Sequence, residues 1–327
     1  MKPATVISFP TALIALALLC VTSAVAQQYP NRAITLIVPF APGGPVDILA
    51  RPLAAAMAKP LKQTMVIDNV GGASGHIGVT RVAKGAPDGY TLLIHHIGMS
   101  TSPSLFLKLD FDPLADFEYI GLVGDSTSML LARRDFPGKD LPAIITYVKA
   151  NKDKLNFAST GPSGGPPCAQ LFMSAIQTNL LEVAYKSSAL GMTELIAGRV
   201  DLMCDSVLTA TPHIRAGKVR VIGATSKFRS RALPEVPTLA EQGLTGFELA
   251  NWMGIYAPKA TPREVRDRLV SALQAALRDP ELLAVLDRLD FKVATQGEAS
   301  PAALAERLKS EMEKWAEVFK KAGIQPN

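Results

Sequence analysis

Two glycine-rich loops contain the residues best suited to bind an anion. The first loop, Phe40 to Gly44, follows an apolar run that begins at Ile34 and precedes Pro45 and Asp47. Glycine permits a tight turn, proline suits the first helical position, and a carboxylate is favourable in the first turn of a helix. The pattern predicts a strand, a turn and a helix whose unpaired N–H groups can bind an anion beyond the strand end.

The second loop, Gly161 to Pro167, lies between another apolar run and a helical segment that begins at Cys168. The hydroxyl groups of Ser159, Thr160 and Ser163 are candidate donors, although turn and cap chemistry explains any single one equally well. Ligands of open parallel sheets bind beyond the carboxyl ends of the strands, and pockets favour domain interfaces. Two such loops therefore predict a cleft between two domains.

A serine esterase is an alternative function. Residues Gly161 to Gly165 match G-x-S-x-G with Ser163 as the nucleophile, and the match lies between a predicted strand and a helix. His213 would be the base and Asp205 the acid of such a triad. Because this short pattern arises easily in a Gly/Ser-rich loop, and because anion binding also explains the loop, we favour binding without catalysis.

His95 and His96 end an apolar strand that should point toward the same cleft. Adjacent strand residues face opposite sides, so the pair cannot chelate one metal ion, and we expect no metal and no cofactor. We expect one ring to reach a ligand carboxylate, with an imidazolium as one option, and the other to pack. If a histidine is involved, affinity should fall as the pH rises past neutrality.

The N-terminus has the features of an export signal. Lys2 precedes an apolar run, and small residues at Ala24 and Ala26 suit cleavage after Ala26, so residues 1–26 are interpreted as a signal peptide. An uncleaved anchor is the alternative, and lipidation of Cys20 is disfavoured because Leu19 is not small. We therefore expect an exported protein.

The remaining chain of about 300 residues predicts two domains. Acidic and basic residues are mixed along it, which argues against a nucleic-acid partner. Cys168 and Cys204 would lie in an oxidising compartment, where a disulfide and two buried thiols are both open.

Apolar strands alternate with amphipathic helices, which predicts an α/β fold with parallel sheets. The polar residues 125–127 separate two apolar runs and indicate a passage from one domain to the other, and the extended run 247–257 returns the chain. We therefore predict domain 1 at 27–126 plus 250–327 and domain 2 at 127–249. Phe40 and Trp252 are candidate apolar walls of the cleft, and either could equally be core.

Several motifs together resemble the Bug family, the periplasmic solute-binding receptors of tripartite tricarboxylate transporters. They are Pro39-Phe-Ala-Pro-Gly-Gly-Pro-Val-Asp47, Ala86-Pro-Asp-Gly-Tyr-Thr-Leu-Leu93, Tyr185-Lys186, Leu195-Ile-Ala-Gly-Arg-Val-Asp201 and Val236-Pro-Thr-Leu-Ala-Glu-Gln-Gly243. The resemblance covers essentially the whole mature chain. It implies a type II periplasmic-binding-protein fold, in which two domains joined by two crossovers close on a ligand. It also implies no catalysis, a small carboxylate ligand and delivery to a membrane permease.

The resemblance also implies where the ligand binds. The loop Phe40 to Gly44 would hold one end through backbone donors, the loop from Ser159 the other, and Asp205 with Ser206 would complete the second wall. The chain departs from the family at Asn69-Val-Gly-Gly-Ala-Ser-Gly75 and at Ser187, where an arginine and a glycine are usual. The candidate ligand-binding residues are Phe40, Ala41, Pro42, Gly43, Gly44, His95, His96, Ser159, Thr160, Ser163, Gly164, Asp205, Ser206 and Trp252.

The ligand class that these residues suggest is a mono- or dicarboxylate, and an aromatic dicarboxylate such as terephthalate would use two held ends and a flat centre. We expect a monomer. A ligand sensor for a signalling partner is a further alternative, because a permease and a sensor could both detect the closed form.

Overall fold

The protein was analysed as a computed structural model that describes residues 29–159, 167–321 and 323–326. The predicted signal peptide and its cleavage site lie outside the described residues. So do Thr160, Ser163 and Gly164.

The first lobe is built around three parallel strands in the order β2-β1-β3. Its strands are β1 (Ile34–Val38), β2 (Met65–Asn69) and β3 (Thr91–His96), and its helices are α1 (Pro45–Leu61), α2 (His76–Ala83) and α3 (Gly98–Leu105). Strand β1 is buried along almost its whole length, as expected for a strand covered by helices on both faces. The sequence did not predict α3, which carries Pro103 and many small polar residues.

Two long strands connect the lobes. Strand β4 (Phe117–Arg133) has 17 residues and pairs antiparallel with β9 (Ala250–Pro258) through its first half. Through its second half it pairs antiparallel with β7 (Leu202–Ser206) and β8 (Val219–Ala224). The polar segment 125–127 does not interrupt β4, because its backbone bonds continue to β9 as far as the pair Thr127 and Ala250. The predicted domain boundaries at 126/127 and 249/250 stay predictions, and these positions lie in β4 and at the start of β9.

The second lobe repeats the α/β alternation. Its elements are α4 (Leu141–Ala150), β5 (Asn156–Ser159), α5 (Cys168–Ala175), β6 (Leu181–Ala184), α6 (Ser188–Ile196), β7 (Leu202–Ser206), α7 (Val207–Arg215) and β8 (Val219–Ala224). Strand β5 lies between β6 and β7 and is parallel to both. The carboxyl ends of β5 and β7 therefore meet at one edge, where α5 and α7 begin.

The C-terminal elements return to the first lobe. They are α8 (Arg263–Ala276), α9 (Pro280–Arg288), β10 (Lys292–Val293) and α10 (Pro301–Lys321). Helix α10 packs on α3 and β4 and buries Trp315 and Phe319. The C-terminal helix therefore covers the first lobe. No helix in the described parts of the chain has the length and hydropathy needed to cross a bilayer.

The predicted α/β architecture is confirmed, with one refinement. The sheets are parallel at β2-β1-β3 and at β6-β5-β7, but they are antiparallel wherever β4 or β9 takes part. The two crossing strands thus turn two parallel sheets into one continuous mixed sheet.

Candidate functional site

A pocket lies where the two lobes face each other beside the crossing strand β9. The centre of a water molecule can occupy about 50 Å³ of it, and the space not filled by protein atoms, counted with the open solvent at its mouth, is about 650 Å³. Its described lining residues are Phe40, Gly44, Pro45, Val46 and His96 from the first lobe, Phe157, Ala158, Ser159, Cys168, Ala169, Ser187, Ser188, Met203, Cys204, Asp205 and Ser206 from the second, and Asn251 from β9. Both predicted walls of the cleft therefore contribute to one pocket.

The loop between β1 and α1 is fixed by Asp47. The left-handed backbone of Gly43, with φ at +82°, turns the chain, and Gly43 N donates to Asp47 Oδ2 over 3.0 Å. Arg51 donates to both carboxylate oxygens over 2.8 and 3.0 Å, and Asn69 Nδ2 donates to Oδ1. Burial opposes the charged form, but these hydrogen bonds outweigh it and lower the pKa of Asp47.

This network changes the roles expected within the first loop. The N–H group of Gly43 serves Asp47, so the prediction that it donates to a ligand is not supported. Ala41 and Pro42 do not line the pocket, whereas Phe40 and Gly44 do. The loop thus contributes one aromatic ring and the start of α1, a narrower contribution than the sequence predicted.

Four helices begin at the pocket. Helix α1 presents Gly44 to Val46, α5 presents Cys168 and Ala169, α6 presents Ser187 and Ser188, and α7 presents Ser206. The side chains of Ser187 and Ser206 cap α6 and α7 by accepting from Leu190 N and Leu208 N, each over 3.3 Å. Helix N-termini carry partial positive charge and unpaired N–H groups, so their convergence favours a bound anion.

Charged side chains contribute little to this pocket. None of its described lining residues is lysine or arginine. An anion bound here would therefore depend on backbone N–H groups, hydroxyls and helix dipoles.

Asp205 is the acid of the pocket. It is buried, Ser206 N donates to its Oδ1 over 2.8 Å, and the Thr209 hydroxyl donates to its Oδ2 over 2.6 Å. Burial raises the pKa of Asp205 to about 6, although the donors Thr209, Ser206 N–H and the nearby Ser188 hydroxyl hold it down. The carboxylate gives the second wall a hydrogen-bond acceptor, in contrast to the donors at the helix starts.

The two histidines take different positions. His96 lines the pocket and stacks on Phe40 with ring centroids 4.7 Å apart, whereas His95 is buried behind it and meets Phe40 edge-on. Burial, with the neighbouring His96, lowers the pKa of His95 well below its usual value. His96 Nδ1 accepts a hydrogen bond from Gly98 N over 2.8 Å, which requires that nitrogen to be unprotonated.

His95 is therefore a packing residue, and burial opposes the imidazolium form of its ring. The fall in affinity expected from titration of a histidine stays a prediction for His96.

Cys168 and Cys204 form a disulfide whose Cα atoms are 6.1 Å apart. The disulfide joins the start of α5 to β7, and both residues line the pocket. It therefore fixes two parts of the second wall relative to each other.

Asn251 and Ser188 were not predicted as site residues, whereas Trp252 was. The Trp252 side chain is fully buried and does not line the pocket, so of the two roles left open for it the described structure shows packing in the core. Side chains alternate along a strand, and in β9 the pocket is met by the preceding residue, Asn251. The signal available in the sequence was a polar amide within an otherwise apolar run.

The parts of an esterase triad are not brought together among the described residues. The Asp205 carboxyl accepts from Ser206 N and Thr209, and His213 lies in the last turn of α7 and does not line the pocket. Ser163 lies outside the described residues. The described geometry therefore gives no support to hydrolysis.

Comparison with known proteins agrees with a binding pocket of this kind. A family model described as the tripartite tricarboxylate transporter family receptor matches residues 49–324. The chain belongs to this family. Its members are periplasmic solute-binding proteins, so the predicted receptor class and fold class are confirmed.

Three solved structures are similar to this receptor. The periplasmic binding protein BugD is 43% identical, with a TM-score of 0.88 and coverage of 91% of this chain and 100% of BugD. MatC from Rhodopseudomonas palustris, solved with malate, is 36% identical, with a TM-score of 0.86 and coverage of 89% and 99%. An R. palustris protein solved with adipate is 30% identical, with a TM-score of 0.86 and coverage of 91% and 100%.

Proposed function

We propose that this receptor binds a small dicarboxylate between its two lobes in the periplasm and delivers it to a membrane permease, without catalysing a reaction. The observation that carries the proposal is the convergence of four helix N-termini on one pocket whose described lining has no basic side chain. Because α1 belongs to one lobe and α5, α6 and α7 to the other, a ligand with two acidic ends would contact both.

The energies involved are sufficient for useful affinity. A carboxylate at a helix N-terminus gains about 0.3–1 kcal/mol, and up to about 2 kcal/mol when partly buried. Each hydrogen bond to a charged group adds roughly 1.5–3 kcal/mol. A few donors from both walls could therefore support micromolar binding, which needs about −8 kcal/mol after the costs of association.

The similar proteins support this ligand class. MatC was solved with malate and the second R. palustris protein with adipate, and both ligands are aliphatic dicarboxylates. An aromatic dicarboxylate such as terephthalate is a second candidate, because the rings of Phe40, His96 and Phe157 line the pocket and offer flat apolar contact.

Isothermal titration calorimetry tests the ligand class. The purified chain lacking residues 1–26 would be titrated with succinate, malate, adipate and terephthalate, and with neutral dimethyl succinate as a matched control. We expect saturable micromolar binding of at least one diacid and none of the diester. Binding of the diester with equal affinity, or of no diacid, would contradict the proposal.

Export and delivery need separate tests. The sequence of the exported protein, read from its N-terminus, should begin at Gln27. A chain that retains Lys2 would exclude cleavage after Ala26.

Uptake of the labelled diacid should be lost in cells without this receptor and restored by its gene, whereas unchanged uptake would exclude its role in delivery. Light scattering of the purified protein should give the mass of a monomer.

A further inference from the structure

Asn251 lies where the two lobes and the crossing strands meet. It is the second residue of β9, it pairs in register with Ser126 of β4, and it lines the pocket. Its side chain is 0% exposed, and neither Nδ2 nor Oδ1 has a hydrogen-bond partner within the described structure. A buried amide with both polar atoms unpaired is uncommon, because each unpaired group carries a desolvation penalty.

The opposite wall has a polar group that is only weakly satisfied. The Ser188 hydroxyl, at the start of α6, lines the same pocket and interacts with the Asp205 carboxylate, but no hydrogen bond of good geometry joins them. Asp205, on the same wall, contributes a carboxylate whose oxygens each accept one hydrogen bond and can accept another. The pocket therefore offers acceptors as well as the donors at its helix starts.

This mixture constrains the ligand. A carboxylate only accepts hydrogen bonds, so it can satisfy Asn251 Nδ2 but leaves Asn251 Oδ1 unpaired and faces the Asp205 carboxylate without a donor. A substituent with its own donor hydrogen, next to a carboxylate, would satisfy Oδ1 or Asp205 while the carboxylate accepts from Nδ2. A hydroxyl or an ammonium group has this chemistry.

We propose that Asn251 determines specificity by recognising a donor-bearing substituent beside the ligand carboxylate, so that the receptor prefers a hydroxylated dicarboxylate over the unsubstituted one. This inference rests on the proposed dicarboxylate binding. Asn251 is well placed for the role, because it lies at the start of β9, where the chain returns from the second lobe to the first, and because it lines the pocket.

Malate and succinate form a matched pair, because they differ only in the 2-hydroxyl group. Calorimetry on the wild-type protein should give malate an affinity at least about tenfold higher, which corresponds to about 1.4 kcal/mol. In Asn251→Leu, which removes both polar atoms at similar volume, the ratio should fall to about one, mainly through loss of malate affinity. Aspartate as a third ligand distinguishes an ammonium from a hydroxyl.

Ser128→Ala is the control variant. Ser128 is also fully buried with an unpaired hydroxyl, on the neighbouring strand β4, but it does not line the pocket. This variant should keep the wild-type ratio. If Asn251→Leu does not fold, Asn251→Val, whose β-branched side chain suits a strand and has no polar atom, replaces it.

The outcomes separate this inference from the function on which it rests. Binding of both diacids with equal affinity by the wild type, or an unchanged ratio in the Asn251 variant, would overturn the specificity role alone and would indicate that the amide holds a structural water. Failure of the wild type to bind any diacid would overturn both proposals.

Discussion

Replacing Asp205 by asparagine should change how the stability of the receptor depends on pH. Burial raises the pKa of Asp205 from its ordinary 3.8 to about 6. An unfolded chain therefore ionises this carboxyl at lower pH than the folded protein does. The stabilisation of the folded protein by the protonated Asp205 carboxyl is fully present below about pH 4 and is lost as the pH rises through about 6.

The size of the effect follows from the same two values. At about 1.4 kcal/mol per pH unit, the interval between 3.8 and about 6 corresponds to roughly 3 kcal/mol. The introduced asparagine does not titrate. Its Oδ1 can accept from Ser206 N as the carboxylate does, whereas its Nδ2 must donate to the Thr209 hydroxyl, which then donates to Ser206 O, 3.1 Å away. The variant should therefore gain up to about 3 kcal/mol relative to wild type between pH 4 and pH 7.5.

Urea unfolding of the two ligand-free proteins, at pH steps from 4 to 7.5, measures this difference. Asp135→Asn is the control, because the hydrogen bond from Arg133 lowers the pKa of that exposed carboxyl below 3.8, so its difference from wild type should stay nearly constant above about pH 4. A difference between Asp205→Asn and wild type that stays constant with pH, or that decreases as the pH rises, would refute the assignment of Asp205 as a buried, costly carboxylate.

Two further predictions concern the walls of the pocket. Asp47→Ala should lower the free energy of unfolding by about 2–3 kcal/mol and weaken diacid binding, because Gly43 N–H and the Asn69 amide lose their acceptor. Asp68→Ala, which removes an exposed ion pair, is the control and should change the free energy of unfolding little. Equal losses in urea unfolding would contradict this. Reducing the disulfide, whose cysteines are 36 residues apart in the sequence, should lower the free energy of unfolding by about 3–4 kcal/mol. Identical melting temperatures with and without reductant would contradict this prediction.

The sequence predicted the features of this receptor that depend on local pattern. The apolar strands and the glycine-rich turn before α1 each have a local cause, and the structure contains both. The prediction that the two glycine-rich loops meet at one pocket followed from the rule that parallel strands bring their carboxyl ends to one edge of a sheet.

Features that depend on tertiary packing were harder to predict. Helix α3 lacks a strong helical pattern and is covered by α10, so its formation depends on packing. Trp252 and Asn251 are neighbours on one strand, and only the direction of the pleat decides which of them faces the pocket. Gly43 was expected to bind ligand because the sequence could not show that Asp47 takes its N–H group.

A crystal structure of the receptor with malate tests the central claim most directly. The carboxylate oxygens of malate should lie within hydrogen-bond distance of backbone N–H groups at the start of α1 and at the start of α6 or α7. No lysine or arginine side chain should contact the ligand. A ligand held by basic side chains, or bound away from these helix starts, would contradict it.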